Sequence, residues 1–395
     1  MKLQYKIRFS LLITVLLVWC VLSGLSGEPP SWIDTGIWAR TYGGEWPDAA
    51  FSVQATSDGG FILAGSTNSF DAINTDFYIV KTDDVGNEQW NRVITDIGFD
   101  SAQSVRQTTD GGFIIAGGDR FWVIKMDAEG NEEWNEKFGH EGDVAYSIVQ
   151  TVDGGYVAVG KIDIDPYGRS PIEAWMVKID SVGNFSWGKI FGTVGRFDAA
   201  YSVQQTADGG FILAGENGSN SADLWLIKTD NNGNEEWNRT LGGNSWDEGA
   251  SVQQTKDGGY IAAGLTTSYG AGNTDLWVVK TDAQGNEEWS RTFGGIHPDE
   301  AHSVRQTLDG GYILAGYTFS SFLTLRDILL VKLDPEGNTQ WERTIGGLGE
   351  DTARCVEQTD DGGYILCGHT TSYGAGSSDM FLMKTDPLGN PPILW

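Results

Sequence analysis

The residues of this chain that could do chemistry are mostly carboxylates and aromatics. There are four histidines, His140, His297, His302 and His369, and none falls in a metal-ligand spacing; no nucleophile elbow and no phosphate-binding loop accompanies them. His297, Asp299 and His302 cluster, and they read as loop and channel polar groups. Aspartate stands out by recurrence: Asp48, Asp100, Asp143, Asp198, Asp247, Asp299 and Asp351 each open an Asp-x-small-x-Ser-Val type run, as in "DAAYSV". Paired carboxylates can hydrolyse glycosides, but seven equivalent acids single out no pair. An acid present in every unit more simply accepts backbone N–H bonds to shape its own turn; a ring of cation ligands is the other reading. Aromatics stand near these acids, Trp46 and Trp246 just before them and Tyr167, Tyr269 and Tyr373 in other loops, the last two within identical "TTSYGAG" segments. Rings that stack on apolar sugar faces, beside acids that accept hydroxyl hydrogen bonds, suit glycan binding.

These residues are positioned by a repeat. The triplet Asp-Gly-Gly begins at Asp58, Asp110, Asp153, Asp208, Asp257, Asp309 and Asp361, with a Ser-Val run before it and an apolar run ending in glycine after it. A third run ("DLWLIKTD") and a fourth ("GNEEWNRTLGG") follow. Each run is short, β-branched or aromatic and bounded by turn residues, and no helical period occurs. Asp-Gly-Gly closes a tight hairpin between strands A and B, and Asp-x-x-Gly-Asn does the same between C and D. The pattern predicts an all-β, seven-bladed β-propeller with four antiparallel strands per blade. Strand D is marked by Trp90, Trp134, Trp187, Trp237, Trp289 and Trp341, but none follows the seventh strand C. The seventh lies at the other end, at Trp38, so the N-terminal strand is expected to complete the last blade and close the ring, leaving no open sheet edge.

Two internal comparisons bear on this closure. Between strands C and D the pairs Asp76/Arg92, Arg120/Glu136, Glu173/Lys189, Asp223/Arg239, Asp275/Arg291 and Asp327/Arg343 are all opposite in charge. If they face one another, Asp379 of the last blade is expected to pair with Arg40 of the N-terminal strand. In the last blade, Cys355 and Cys367 together replace the small residues of the other blades, which suggests a disulfide; two free buried thiols are the alternative.

The pattern "D-A-x-S-V-x-Q-T-x-D-G-G-[YF]-I-x-A-G" followed by "D-x-W-[LV]-[VI]-K-[TL]-D-x-x-G-N" resembles the secreted prokaryotic propeller repeats of the delta-sixty type. The "DAQGNEEW" turn (282–289) is similar to the tryptophan-docking motif of quinoprotein propellers, in which an Asp-initiated turn precedes a Trp that locks one blade to the next. The resemblance spans 37–390 and implies the propeller architecture. The chain has no adjacent cysteine pair and no cofactor-binding insertion, so no redox cofactor is expected.

Segment 1–27 reads as a signal peptide, with an uncleaved anchor as the alternative: Lys2, Lys6 and Arg8, an apolar run from Phe9 to Leu22, then small residues. A short linker (28–36) and one propeller domain (37–395) follow, in an extracellular or cell-surface protein. The net charge of −28 argues against nucleic acid and anionic lipid as partners. No cofactor is expected; calcium stays open, at the ring acids or at the loop Asp230-Asn231-Asn232-Gly233-Asn234. Length varies in the B–C and D–A loops, which emerge on one face, whereas the A–B and C–D turns are constant, as a binding face on a fixed scaffold requires. Three residues after each ring aspartate stand Phe51, Gln103, Tyr146, Tyr201, Ala250, His302 and Arg354, which would line the central channel near that face. The reading is a monomeric, non-catalytic scaffold that binds protein or glycan; a polysaccharide-acting enzyme and a structural surface-layer component are the alternatives.

Overall fold

The computed structural model describes residues 36–70, 72, 74–96, 98–164, 172–192, 196–218, 221–319 and 325–393. Segment 1–27, nearly all of the linker, and Tyr167 lie outside the described residues. From Gly36 onward these form one unit of seven four-stranded antiparallel sheets with no helix among the described residues. The first blade comprises β2 (Asp48–Ala55), β3 (Phe61–Thr67), β4 (Asp76–Thr82) and β5 (Glu88–Ile94), its strands A to D. The last is β26 (Asp351–Gln358), β27 (Tyr364–Thr370) and β28 (Asp379–Thr385), completed by β1 (Trp38–Tyr42) in the sheet order β1-β28-β27-β26. Trp38 lies opposite Lys384 and Tyr42 opposite Met380, so the ring is closed as the strand count requires.

Strands B and C are buried along nearly their whole length because each sheet is covered on both faces by neighbours. Each apolar core therefore lies between two blades; the closing one joins Val53, Phe61 and Tyr78 of the first to Ile365, Met380 and Leu382 of the last. Repeated contacts hold the blades together. The strand-D tryptophan occupies the space where a Cβ would stand on the glycine of the next blade's C–D turn: Trp38 on Gly86, Trp90 on Gly130, Trp341 on Gly389. Those glycines have φ of 78°, 77° and 72°, a conformation and a clearance that only glycine combines. The strand-A serine accepts the N–H of the next blade's valine, as Ser52 does from Val105 at 3.3 Å and Ser303 from Val356 at 3.2 Å. Within each blade a buried strand-C lysine reaches the Asp-Gly-Gly aspartate, Lys81 to Asp58 at 2.8 Å and Lys332 to Asp309 at 2.9 Å. Against the upward push of partial burial, hydrogen bonds from Lys81, Thr56 and Gly60 hold the Asp58 carboxyl down at about 2.

Two expectations are corrected. The C–D charge pairs do not face one another. A bulge beside the C–D turn sets Lys81 opposite Trp90, which places Arg92 opposite Ile79, three residues from Asp76. In the closing blade, where β1 and β28 pair without a bulge, Arg40 lies opposite Leu382, and no Arg40–Asp379 ion pair forms among the described residues. The cation instead caps its own tryptophan, Arg40 5.7 Å from the Trp38 ring and Arg92 5.2 Å from Trp90. Cys355 and Cys367 are opposite one another in register but are free, buried thiols rather than a disulfide. Cys355 occupies the seam position that serine holds in the other blades, and its Sγ donates across that seam to Val53 O at 3.7 Å. Alkylation of the unfolded chain without reductant is expected to label both Cys355 and Cys367. Trp38→Ala is expected to cost about 2–4 kcal/mol in urea unfolding; a loss under about 0.5 kcal/mol would mean that the first strand contributes nothing to closure.

Candidate functional site

In every blade strand A carries a β-bulge, and the bulged residue is the one whose identity varies from blade to blade: Phe51, Gln103, Tyr146, Tyr201, Ala250, His302 or Arg354. A bulged residue has no cross-strand partner and its side chain is re-aimed. The strand-B glycine sets this feature. Gly65 lies opposite Ala50, beside the bulge, and a Cβ there would overlap the Ala49 carbonyl; Gly316 stands in the same relation to Glu300. Strands A contact one another around the ring and line the channel, so the bulged residues form one tier near the loop face. Six residues after each ring aspartate comes a second tier, which the sequence reading did not single out although it also varies: Gln54, Arg106, Val149, Gln204, Gln253, Arg305 and Glu357. Several of these line a channel cavity of about 200 Å³.

The loop-face tier is enlarged by residues adjoining the ring aspartates and their strand-B partners, also missed from sequence. Ala199 faces Glu216, Glu300 faces Tyr317 and Thr352 faces His369. On one side Tyr201 donates to Glu216 Oε1 at 2.5 Å, Trp246 Nε1 donates to Glu216 Oε2 at 3.0 Å, and the Tyr146 and Tyr201 rings are 5.0 Å apart. Burial, then the charges of Glu216 and Glu300, push the Glu248 carboxyl up to about 8. On the other side Arg354 Nη1 donates to His302 Nε2 at 3.2 Å and lies 5.9 Å from the Phe51 ring, while Arg326 lies 4.5 Å from the Tyr317 ring. Burial first and Arg354 second lower the His302 pKa, so its ring is a neutral acceptor; His369 is lowered to about 4 by burial, Arg354 and Arg326. The mouth thus joins a glutamate–tyrosine side to an arginine–histidine side. It can hold a ligand by complementary charge.

The seven ring aspartates do not reach solvent; all are at most 1% exposed. They fasten the loops. Asp247 accepts Gly243 N and Ser268 Oγ, both at 2.8 Å, and the Thr266 hydroxyl; Asp351 accepts Gly347 N, Thr370 Oγ1 and Ser372 Oγ at 2.8, 2.5 and 2.7 Å. Asp48, Asp100, Asp143, Asp198 and Asp299 each accept at least one loop N–H. Asp230 spends its oxygens on Asn232 N, Asn234 N and Asn234 Nδ2, which makes its loop a turn. Among the described residues no three His, Cys, Asp or Glu side chains are grouped to hold a metal ion. The aromatics do face solvent: Trp46 is 63% exposed, Trp246 44% and Tyr269 46%. Phe99, in another D–A loop, and Phe70, in a B–C loop, join them. Tyr269 and Trp277 also line a separate depression of about 450 Å³ with Arg291 and Glu287, away from the channel. Tyr373 lies in the matching B–C loop of the last blade.

Glu248 gives the site a pH signature. A carboxyl raised in the folded state contributes stability below its unfolded pKa, near 4.3, and that contribution is lost as pH rises through about 8. Glu248→Gln is therefore expected to raise Tm relative to the parent protein at pH 8 and to leave it unchanged at pH 4, read by thermal melts across that range. The depressed Asp58 acts oppositely: its contribution is present above pH 4 and is lost as pH falls through about 2.

No protein-family model and no curated protein matches the chain. Among solved structures it is similar to the Pan2 WD40 domain of Neurospora crassa (10% identity, TM-score 0.58, covering 91% of this chain and 100% of that one). It is also similar to a protein of unknown function from Dyadobacter fermentans (12%, 0.54, 89% and 99%) and to Sqt1 of Chaetomium thermophilum (12%, 0.53, 88% and 98%). These likenesses show the β-propeller fold.

Proposed function

We propose that this chain is a secreted or cell-surface scaffold of the delta-sixty repeat type that binds a protein partner, without catalysis, on its B–C/D–A face. The observation that carries this reading is the bulge tier. A scaffold whose repeated residues are committed to packing delivers seven independently variable side chains to one mouth, and exposed aromatics surround it. Aromatic side chains around a charged, partly desolvated centre match the composition of protein-recognition surfaces. Glutamates and arginines together suit a segment bearing both signs of charge better than a neutral sugar. The acids that would have bonded sugar hydroxyls are enclosed beneath the loops.

The experiment is site-specific photo-crosslinking on the producing cells, with the probe at Trp46 or Trp246 on the loop face and at Val152 or Leu308 on the opposite face. One protein is expected to be captured from the loop-face positions only, and its capture is expected to fall on Arg354→Ala. Equal capture from both faces, or saturable binding of oligosaccharides on a glycan array with no protein crosslink, would overturn the reading.

A further inference from the structure

At the junction between the third and fourth blades, we propose, Glu173, Asp198 and Asn217 form a binding site for a hard divalent cation of the calcium class, independent of the channel mouth. Glu173 stands near the start of strand C of the third blade (Ile172–Ile179), and Asp198 begins strand A of the fourth (Asp198–Gln205). A Cβ on Gly192 would overlap both Glu173 Oε2 and Asp198 Oδ2, so oxygens from two blades converge on one point. Glu173 is 2% exposed, and neither of its carboxylate oxygens has a hydrogen-bond partner. Two buried carboxylates facing each other are costly. Burial, and then the charge of Asp198, push the Glu173 carboxyl up to about 7.

Other junctions provide the contrast. Acid pairs recur there, as Asp223 with Asp247 and Asp327 with Asp351, each converging on one glycine, Gly242 and Gly346. In those pairs the strand-A acid is satisfied by a hydroxyl, since the strand-B threonines Thr266 and Thr370 lie opposite Asp247 and Asp351 and donate to them. At the Glu173 junction two changes occur together. The strand-C acid is longer by one methylene, and the residue opposite Asp198 is Asn217 instead of threonine. A hydroxyl donor that would quiet a carboxylate is replaced by an amide that can offer a carbonyl oxygen. Two carboxylates and a neutral amide oxygen are the ligand types that calcium takes, at about 2.3–2.6 Å from each oxygen, with water or backbone completing the shell. The cation would neutralise the pair and bridge the two blades, so binding adds to folding stability.

The test is calorimetric titration of the full chain with CaCl2 and MgCl2 after chelator treatment, paired with thermal melts. One saturable Ca2+ site per chain and a Tm that rises with Ca2+ are expected. Both effects should be abolished by Glu173→Gln, and binding weakened about tenfold by Asn217→Thr, which installs the side chain that other blades tolerate. Circular dichroism confirms that the variants are folded. Three results would each overturn the proposal: no saturable binding by the parent protein; Ca2+ association unchanged in Glu173→Gln, the mark of diffuse attraction to an acidic surface; or a Glu173→Gln variant more stable than the Ca2+-treated parent, the mark of a bare repulsive pair.

Discussion

Each sheet of this protein is apolar on both faces, and the rest of the structure follows from the need to cover both. Strands B and C show hardly any exposed residue, and every core cluster is shared between two blades. A row of such sheets always leaves two faces open. A circle leaves none, and β1 makes the circle by pairing with β28. The core between the last and first blades is built like the others, so closure completes a packing requirement common to all seven junctions.

That requirement divides the residues into committed and free. The strand-D tryptophans, the turn glycines beneath them, the strand-A serines and the buried lysines all hold one blade to the next or one strand to its neighbour. Changing any of them in one blade disturbs a junction. The bulged residue of strand A is different, since it pairs with nothing across the sheet and projects toward the axis. Its freedom depends on the strand-B glycine, whose missing side chain makes room for the displaced carbonyl of strand A. Diversity at the mouth and uniformity elsewhere are two results of one geometry.

The fold was legible in the sequence because its signals are local and repeated seven times. Hairpin triplets, alternating apolar runs and the orphan Trp38 define strands, blade number and closure without any knowledge of long-range contacts. Register was harder. Charge complementarity suggested that Asp76 faces Arg92, but the ladder sets Arg92 opposite Ile79, three residues away; the bulge beside the C–D turn accounts for one of the three, and no composition signal marks the offset. The cysteines were misread for a related reason: adjacency across strands was foreseen, whereas the turning of Cys355 toward Val53 depends on the neighbouring blade. Within the site the seven variable positions could be located, yet Glu216, Glu248, Tyr317, Arg326 and His369 were not, because they join the mouth through strand pairing. The invariant strand-B glycine was the unused clue. A glycine inside a strand marks a bulge or a close backbone approach, and both occur at Gly65.

The pairing of β1 with β28 also governs how the molecule can be assembled. Ribosomes deliver β1 first and β28 last among the strands, so the clasp has the longest sequence separation in the fold, and contacts of that kind form slowly. Until the final strands are present, the nascent propeller is an arc with bare apolar flanks, and β1 has no edge on which to dock. A growing chain of this design stays adhesive through nearly its whole synthesis and becomes inert in one late step.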